Sequence, residues 1–158
     1  LGQYREYQMV HHDRLVKCYD EVVETVDFIR AAGHAVAIVT SKTTTMTRRG
    51  LDVSGLGTHF DTIIGCDVCE RHKPDPQPVQ IALDRLGYSH EEAVFVGDSV
   101  YDMLAGNAAG VTTIAALWGP FTRDDLAASR PAHYLERIRD LPRLLAQIQA
   151  SRGNQGAA

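Results

Sequence analysis

The chain has 158 residues, 44% apolar and 23% charged, with a formal net charge of −4; this suits one domain with a real core and shows no bias toward disorder. It carries no basic stripe, so nucleic acid is not an expected partner and a small phosphate would have to find its positive charge locally. No apolar run reaches about 18 residues and no signal-peptide pattern is present, so neither membrane insertion nor secretion is expected, and the cytoplasm is the default location.

The first segment, GQYREYQMVHHDRLVKC (Gly2–Cys18), repeats Tyr4, Tyr7, His11 and Leu15 at helical spacing and predicts an amphipathic helix at the end of something larger. Because the chain starts on Leu and already inside that pattern, upstream material is expected to be missing. His11, His12 and Asp13 read as a solvated helix-end cluster, since neighbouring helical residues diverge and no third partner follows at i+4.

From Asp20 the pattern becomes an alternation of helix and strand. Val22, Val26 and Ile29 mark a helix that stops near Gly33, and Ala35–Val39 (AVAIV) is an apolar strand. A helix over Thr43–Leu51 precedes a second strand, Asp61–Cys66. Val79, Ala82, Leu83 and Leu86 then form an apolar stripe closed by Gly87. Next comes AVFVGDSVYD (Ala93–Asp102), a Val-rich strand that ends at a glycine, with two aspartates behind it and a helix that runs to Gly110. Val111–Ala116 is another strand, Ala132–Leu135 a short edge strand, and Leu141, Leu144, Leu145 and Ile148 mark a last amphipathic helix. Residues 151–158 read as a frayed or disordered tail. The expected fold is α/β, a doubly wound parallel sheet with helices on both faces.

In such a sheet the strand C-termini share one edge, and ligands bind there. The first strand delivers Thr40 and Ser41 (IVTSK), the second, past a short loop, Lys73 (RHKPDPQP), and the third Asp98 and Asp102. A hydroxyl, an ammonium and two carboxylates suit phosphoryl transfer. The hydroxyl and backbone N–H groups hold oxygens, the lysine neutralises charge, and the carboxylates suit a hard cation such as Mg²⁺. Each element also has an ordinary explanation: Asp98 or Ser99 as a helix cap, Ser41 as another, Lys73 as a surface lysine. Pro74, Pro76 and Pro78 stiffen the loop after Lys73 and lower the entropy cost of fixing it.

Of the three cysteines, Cys18, Cys66 and Cys69, the last two form a single CxxC, weak evidence for metal or redox chemistry; Cys66 reads as a strand-end thiol in a reducing compartment. His59, His72, His90 and His133 are isolated, with His72 beside Lys73. Trp118 and Phe121, in LWGPF, either line a substrate entrance or pack beside a Gly119-Pro120 turn.

The succession IVTSK, HKPDPQP and VFVGDSVYD resembles motifs two, three and four of the haloacid dehalogenase (HAD) superfamily of phosphatases, over essentially the whole chain. YREYQMVHHDRLV, the GL…HFD connection and KPDPQPV are similar to its phosphoglycolate phosphatase and PpaX-like inorganic pyrophosphatase branch. The resemblance implies a HAD-like Rossmannoid core over residues 19–150, preceded by the last helix of a helical cap as a remnant at residues 1–18. It implies that Thr40 bonds the transferring phosphoryl group, Lys73 neutralises it, Asp98 ligates Mg²⁺, and Asp102 supports the metal shell or orients Lys73. Ser99 would stand behind the metal ligands, and Lys42 is a weaker candidate on the phosphate side.

The family's first motif, DxDGT/S, which supplies the nucleophilic and the acid/base aspartate, occurs nowhere in the sequence. The core is therefore expected to be incomplete, lacking its central strand, and the chain alone is expected to be inactive. Unpaired strand edges invite strand exchange between copies. The expected activity is that of a Mg²⁺-dependent phosphohydrolase acting on a small phosphorylated metabolite or pyrophosphate through an aspartyl-phosphate, with its nucleophile outside this chain. The alternative is a catalytically inactive fragment serving as a binding or interaction module. A phosphoacceptor receiver domain is disfavoured by motif order, because it places its acids before the hydroxyl and its lysine last.

Overall fold

The computed structural model describes residues 21–155. The expected helix at Gly2–Cys18, the cap remnant and the His11–His12–Asp13 cluster lie outside them. Helix α1 (Val22–Ala31) buries Thr25, Val26 and Ile29, the face its apolar spacing predicts. It is followed by β1 (Ala37–Val39), α2 (Thr44–Val53), β2 (Thr62–Ile64) and α3 (Gln77–Leu86). Then come β3 (Val94–Gly97), α4 (Val100–Ala109), β4 (Thr112–Ala116), α5 (Arg123–Ala127), β5 (His133–Leu135) and α6 (Leu141–Gln155).

All strand pairs are parallel, in two ladders: β1–β2, and β3–β4–β5. Among the described residues no ladder joins the two. Strand β4 is central to the larger sheet, with Thr113, Ile114 and Ala115 fully buried. Its two faces are covered differently, as period-two alternation requires. Ile114, with Val94 and Val96, meets Ile29, Leu141 and Ile148 of α1 and α6. Ala115 packs with Met103 and Leu126 of α4 and α5, while Phe95 joins Val79, Ala105 and Val111. The smaller sheet has its own cluster, in which Ile63 and Ile38 meet Leu51, Leu56 and Phe60.

A polar chain anchored on buried Thr113 ties the larger half together. The Thr113 hydroxyl donates to Asn107 Oδ1 (2.8 Å) and accepts from the Ala132 N–H (3.1 Å), and Asn107 Nδ2 donates to the Ser129 carbonyl (2.7 Å). A polar group without such partners would destabilise this core by about 1–3 kcal/mol.

Several boundaries differ from expectation. The first two strands are three residues each because irregular segments flank them. The α2 cap is Thr43, whose hydroxyl accepts from the Met46 N–H, so Ser41 is not the cap. Helix α5 was not expected; a capping box formed by Thr122 and Asp125 begins it. The tail is also corrected, since α6 continues to Gln155 and residues 151–155 are helical rather than frayed. Arg152 fastens that end by donating to the Ala93 carbonyl (3.2 Å) and the Thr112 hydroxyl (2.7 Å).

Candidate active site

The two ladders meet at Lys73. Its ammonium donates to Asp102 Oδ1 at 2.6 Å and to the Val39 carbonyl at 3.4 Å. Val39 is the last residue of β1, and Asp102 lies in the first turn of the helix that follows β3, so one side chain spans from one sheet to the other. The Val36 carbonyl and the Thr40 N–H bond toward β2. By alternation, Ala37 and Val39 turn their backbone groups toward the opposite edge, which is why the Val39 carbonyl is available to Lys73. The Lys73 and Asp102 side chains are 13% and 9% exposed, which makes this a nearly buried ion pair.

Both oxygens of Asp102 are engaged. Its Oδ2 accepts from the Ser99 N–H (3.1 Å) and the Ser99 hydroxyl (2.7 Å), while Ser99 Oγ accepts from the Asp102 N–H (3.2 Å). This reciprocal capping box starts α4 and fixes the carboxylate's direction. Of the two roles the sequence leaves open for Asp102, the geometry favours orienting Lys73 over ligating a metal. Gly97 makes room for it: a Cβ there would stand 2.3 Å from Asp102 Cβ.

Asp98 is placed otherwise. Half-buried beyond the end of β3, it makes no hydrogen bond or ion pair among the described residues. The loop after β4 closes on it, and a Cβ on Gly119 would lie 2.5 Å from Asp98 Cβ and 2.6 Å from Oδ2. Gly119 thus seats Asp98, a role that the Gly-Pro turn signal does not reveal. Trp118 packs against the apolar cluster under the larger sheet, whereas Phe121 is exposed.

On the other side, Thr40, Ser41 and Lys73 line one cavity of about 160 Å³ with Cys66, Cys69, His72 and Pro78. Thr40 continues the β1–β2 ladder, its N–H on the Ile64 carbonyl at 2.9 Å, and its hydroxyl accepts from the Lys42 N–H (3.2 Å). The Lys42 side chain is exposed and does not line the cavity. Asp67 braces this wall: its Oδ1 accepts from the Thr44 N–H (2.7 Å) and hydroxyl (3.0 Å). The backbone bond from Thr44 holds the Asp67 carboxyl below its ordinary range. The structure therefore brings together Thr40, Ser41 and Lys73, and Lys73 with Asp102, while Asp98 sits beside Gly119. Among the described residues no three His, Cys, Asp or Glu side chains form a ready-made metal cluster. The sequence reading missed the Val39 carbonyl, Gly119 and the cysteine-lined wall.

The fold is doubly wound α/β, with hydroxyls, a clamped lysine and a carboxylate without a partner among the described residues beyond its strand ends, the edge at which ligands bind in such folds. Residues 1–116 match the family model for haloacid dehalogenase-like hydrolases, and the chain belongs to that family. It is 39% identical over 141 residues to the pyrophosphatase PpaX of Bacillus velezensis, covering 89% of this chain and 65% of that one. Against PpaX of Bacillus cereus it is 38% identical over 151 residues, 96% of this chain and 70% of the other. Among solved structures it resembles a HAD-superfamily hydrolase from Geobacter sulfurreducens (27% identity, TM-score 0.68, 80% of this chain and 55% of that one). It also resembles a protein described as a predicted phosphoglycolate phosphatase from Haemophilus somnus (25% identity, TM-score 0.80, 89% and 64%). The chain thus spans just under two thirds of the length of the B. velezensis relative.

Proposed function

We propose that the full polypeptide containing this chain is a Mg²⁺-dependent phosphohydrolase of small phosphate monoesters or diphosphates, phosphoglycolate-like or pyrophosphate-like. It would act through an aspartyl-phosphate whose nucleophile lies outside these 158 residues. The observation that carries the reading is the Lys73 ammonium, clamped by Asp102 at 2.6 Å on the wall of the cavity that Thr40 and Ser41 also line. The relatives named as pyrophosphatases support a hydrolase over a non-enzymatic binding module.

Each residue has a task that follows from its chemistry. The Thr40 hydroxyl, with the N–H groups of the turn behind it, donates to phosphoryl oxygens. Lys73 offsets the negative charge of the phosphoryl group and of the attacking carboxylate, and Asp102 holds it there as a positioning residue. Asp98 suits Mg²⁺, because its carboxylate has no competing partner among the described residues and hard cations take oxygen ligands with several waters. Asp102, whose oxygens both serve Lys73 and Ser99, does not fit a direct ligand's role. When bound, Mg²⁺ supplies positive charge against the phosphate oxygens.

The test is phosphate release from pyrophosphate and from phosphoglycolate by the full-length polypeptide, with Mg²⁺ and with chelator. Mg²⁺-dependent release that falls by about a hundredfold or more in Lys73→Met is the expected result. Release that is indifferent to both changes would refute it.

A further inference from the structure

The cavity's remaining wall is made of groups that phosphate binding does not use. Cys66, Cys69 and His72 line the same space as Thr40 and Lys73. Both thiols are free and half-buried. Residues 66–68 form a turn closed by the Val68 N–H on the Gly65 carbonyl (3.1 Å), and Cys69 Sγ folds back to within 3.6 Å of that same carbonyl. Cys66 and Cys69 lie three residues apart across this turn, and both line the same small cavity. His72 Nδ1 stands 3.7 Å from Cys69 Sγ, within reach of the Cys69 proton.

We propose that Cys66 and Cys69 are an oxidisable dithiol whose closure to a disulfide by a peroxide reshapes the phosphate cavity. The steps balance. His72 takes the Cys69 proton; the thiolate attacks one peroxide oxygen, giving a sulfenic acid and, once protonated, water. The Cys66 sulfur then attacks the Cys69 sulfur and displaces a second water. Two thiols and one hydrogen peroxide become one disulfide and two waters. Burial first, then Cys66 and Asp67, push the Cys69 thiol up, so the transfer of its proton to His72 has to precede attack on the peroxide.

Two connections carry the change to the phosphate side, where the argument rests on the function proposed above. The Cys66 N–H is bonded to the Lys42 carbonyl (2.9 Å), two residues past Thr40, and Asp67 holds Thr44. In the other direction His72 and Lys73 follow Cys69 directly along the chain. A bond between the sulfurs therefore pulls on both sides of the cavity.

The experiment uses the reduced full-length polypeptide, a small excess of hydrogen peroxide, and inorganic phosphate as the binding probe. Intact mass should fall by two hydrogens, a digest should yield a peptide linked through Cys66 and Cys69, and phosphate affinity should drop by about tenfold or more and return with dithiothreitol. In Cys69→Ser, and separately in Cys66→Ser, the ratio of affinities with and without peroxide should be one. Oxygen added without a link, a link through Cys18, or unchanged affinity in the linked form would each overturn the proposal. A reduced protein that binds no phosphate would sink the reading of the cavity, while the linked peptide would still decide the dithiol by itself.

Discussion

The two sheets divide the labour unequally. The β3–β4–β5 half is the better built: β4 is buried on both faces, Met103 and Leu126 are fully covered, and a polar chain through Thr113 and Asn107 ties strand to helix. It contributes acids, Asp98 and Asp102. The β1–β2 half has two three-residue strands over a smaller cluster, and contributes the hydroxyls and the lysine. Strands β1 and β3 are only half-buried along their whole length, unlike β4. Among the described residues no backbone ladder crosses between the halves, and the hydrogen bonds from Lys73 bridge them at the site. On the function proposed above, the same side chain serves both the chemistry and the alignment of the two halves.

The largest expected effect breaks that bridge. Lys73→Met leaves Asp102 nearly buried without its cation, and removal of one partner from such a pair costs about 3 kcal/mol of folding stability. Arg30→Met, which removes a pair with Asp61 at 3.1 Å whose side chains are 34% and 38% exposed, should cost under about 1 kcal/mol because water screens it. Urea denaturation of the full-length polypeptide measures both; equal losses would show that the Lys73 bridge is an ordinary surface pair. A smaller effect is expected on the acid side. Gly119→Ala would drive a methyl into the Asp98 carboxylate, and the Mg²⁺ concentration for half-maximal activity should rise by about tenfold, in keeping with the cost of disturbing a ligand's support. An unchanged Mg²⁺ requirement would separate Asp98 from the metal.

Much of this was legible in the sequence. Val-rich runs ending at polar residues located the strands, so the helix–strand alternation and the places of Thr40, Lys73, Asp98 and Asp102 beyond strand ends could be read from residues alone. What could not be read depends on approach between distant segments. Asp102 looks like a second metal-side carboxylate until Ser99 and Lys73 are seen to occupy both its oxygens. Gly119 looks like half of a turn until its missing side chain is seen to admit Asp98. His72 appeared isolated because its partner, Cys69, meets it only when the turn after β2 is formed.

The smallest effect expected is on acid stability, and it also sits in the weaker half. Asp61, just before β2, accepts the Val36 N–H at 2.8 Å and both its oxygens meet Arg30 Nη1 at 3.1 Å. The Val36 backbone bond, with help from Arg30, lowers its pKa from the ordinary 3.8. A carboxyl whose folded pKa lies below its unfolded one adds stability that is fully present above the unfolded value and is lost as pH falls through the folded one. Asp61→Asn should therefore weaken the protein at neutral pH yet flatten the decline in stability below pH 3.8, with the two proteins converging in acid. Stability curves taken from neutral to acid pH would show it. Parallel curves would mean that the carboxylate's charge contributes nothing and that Asp61 fixes the start of the β1–β2 ladder through its hydrogen bonds alone.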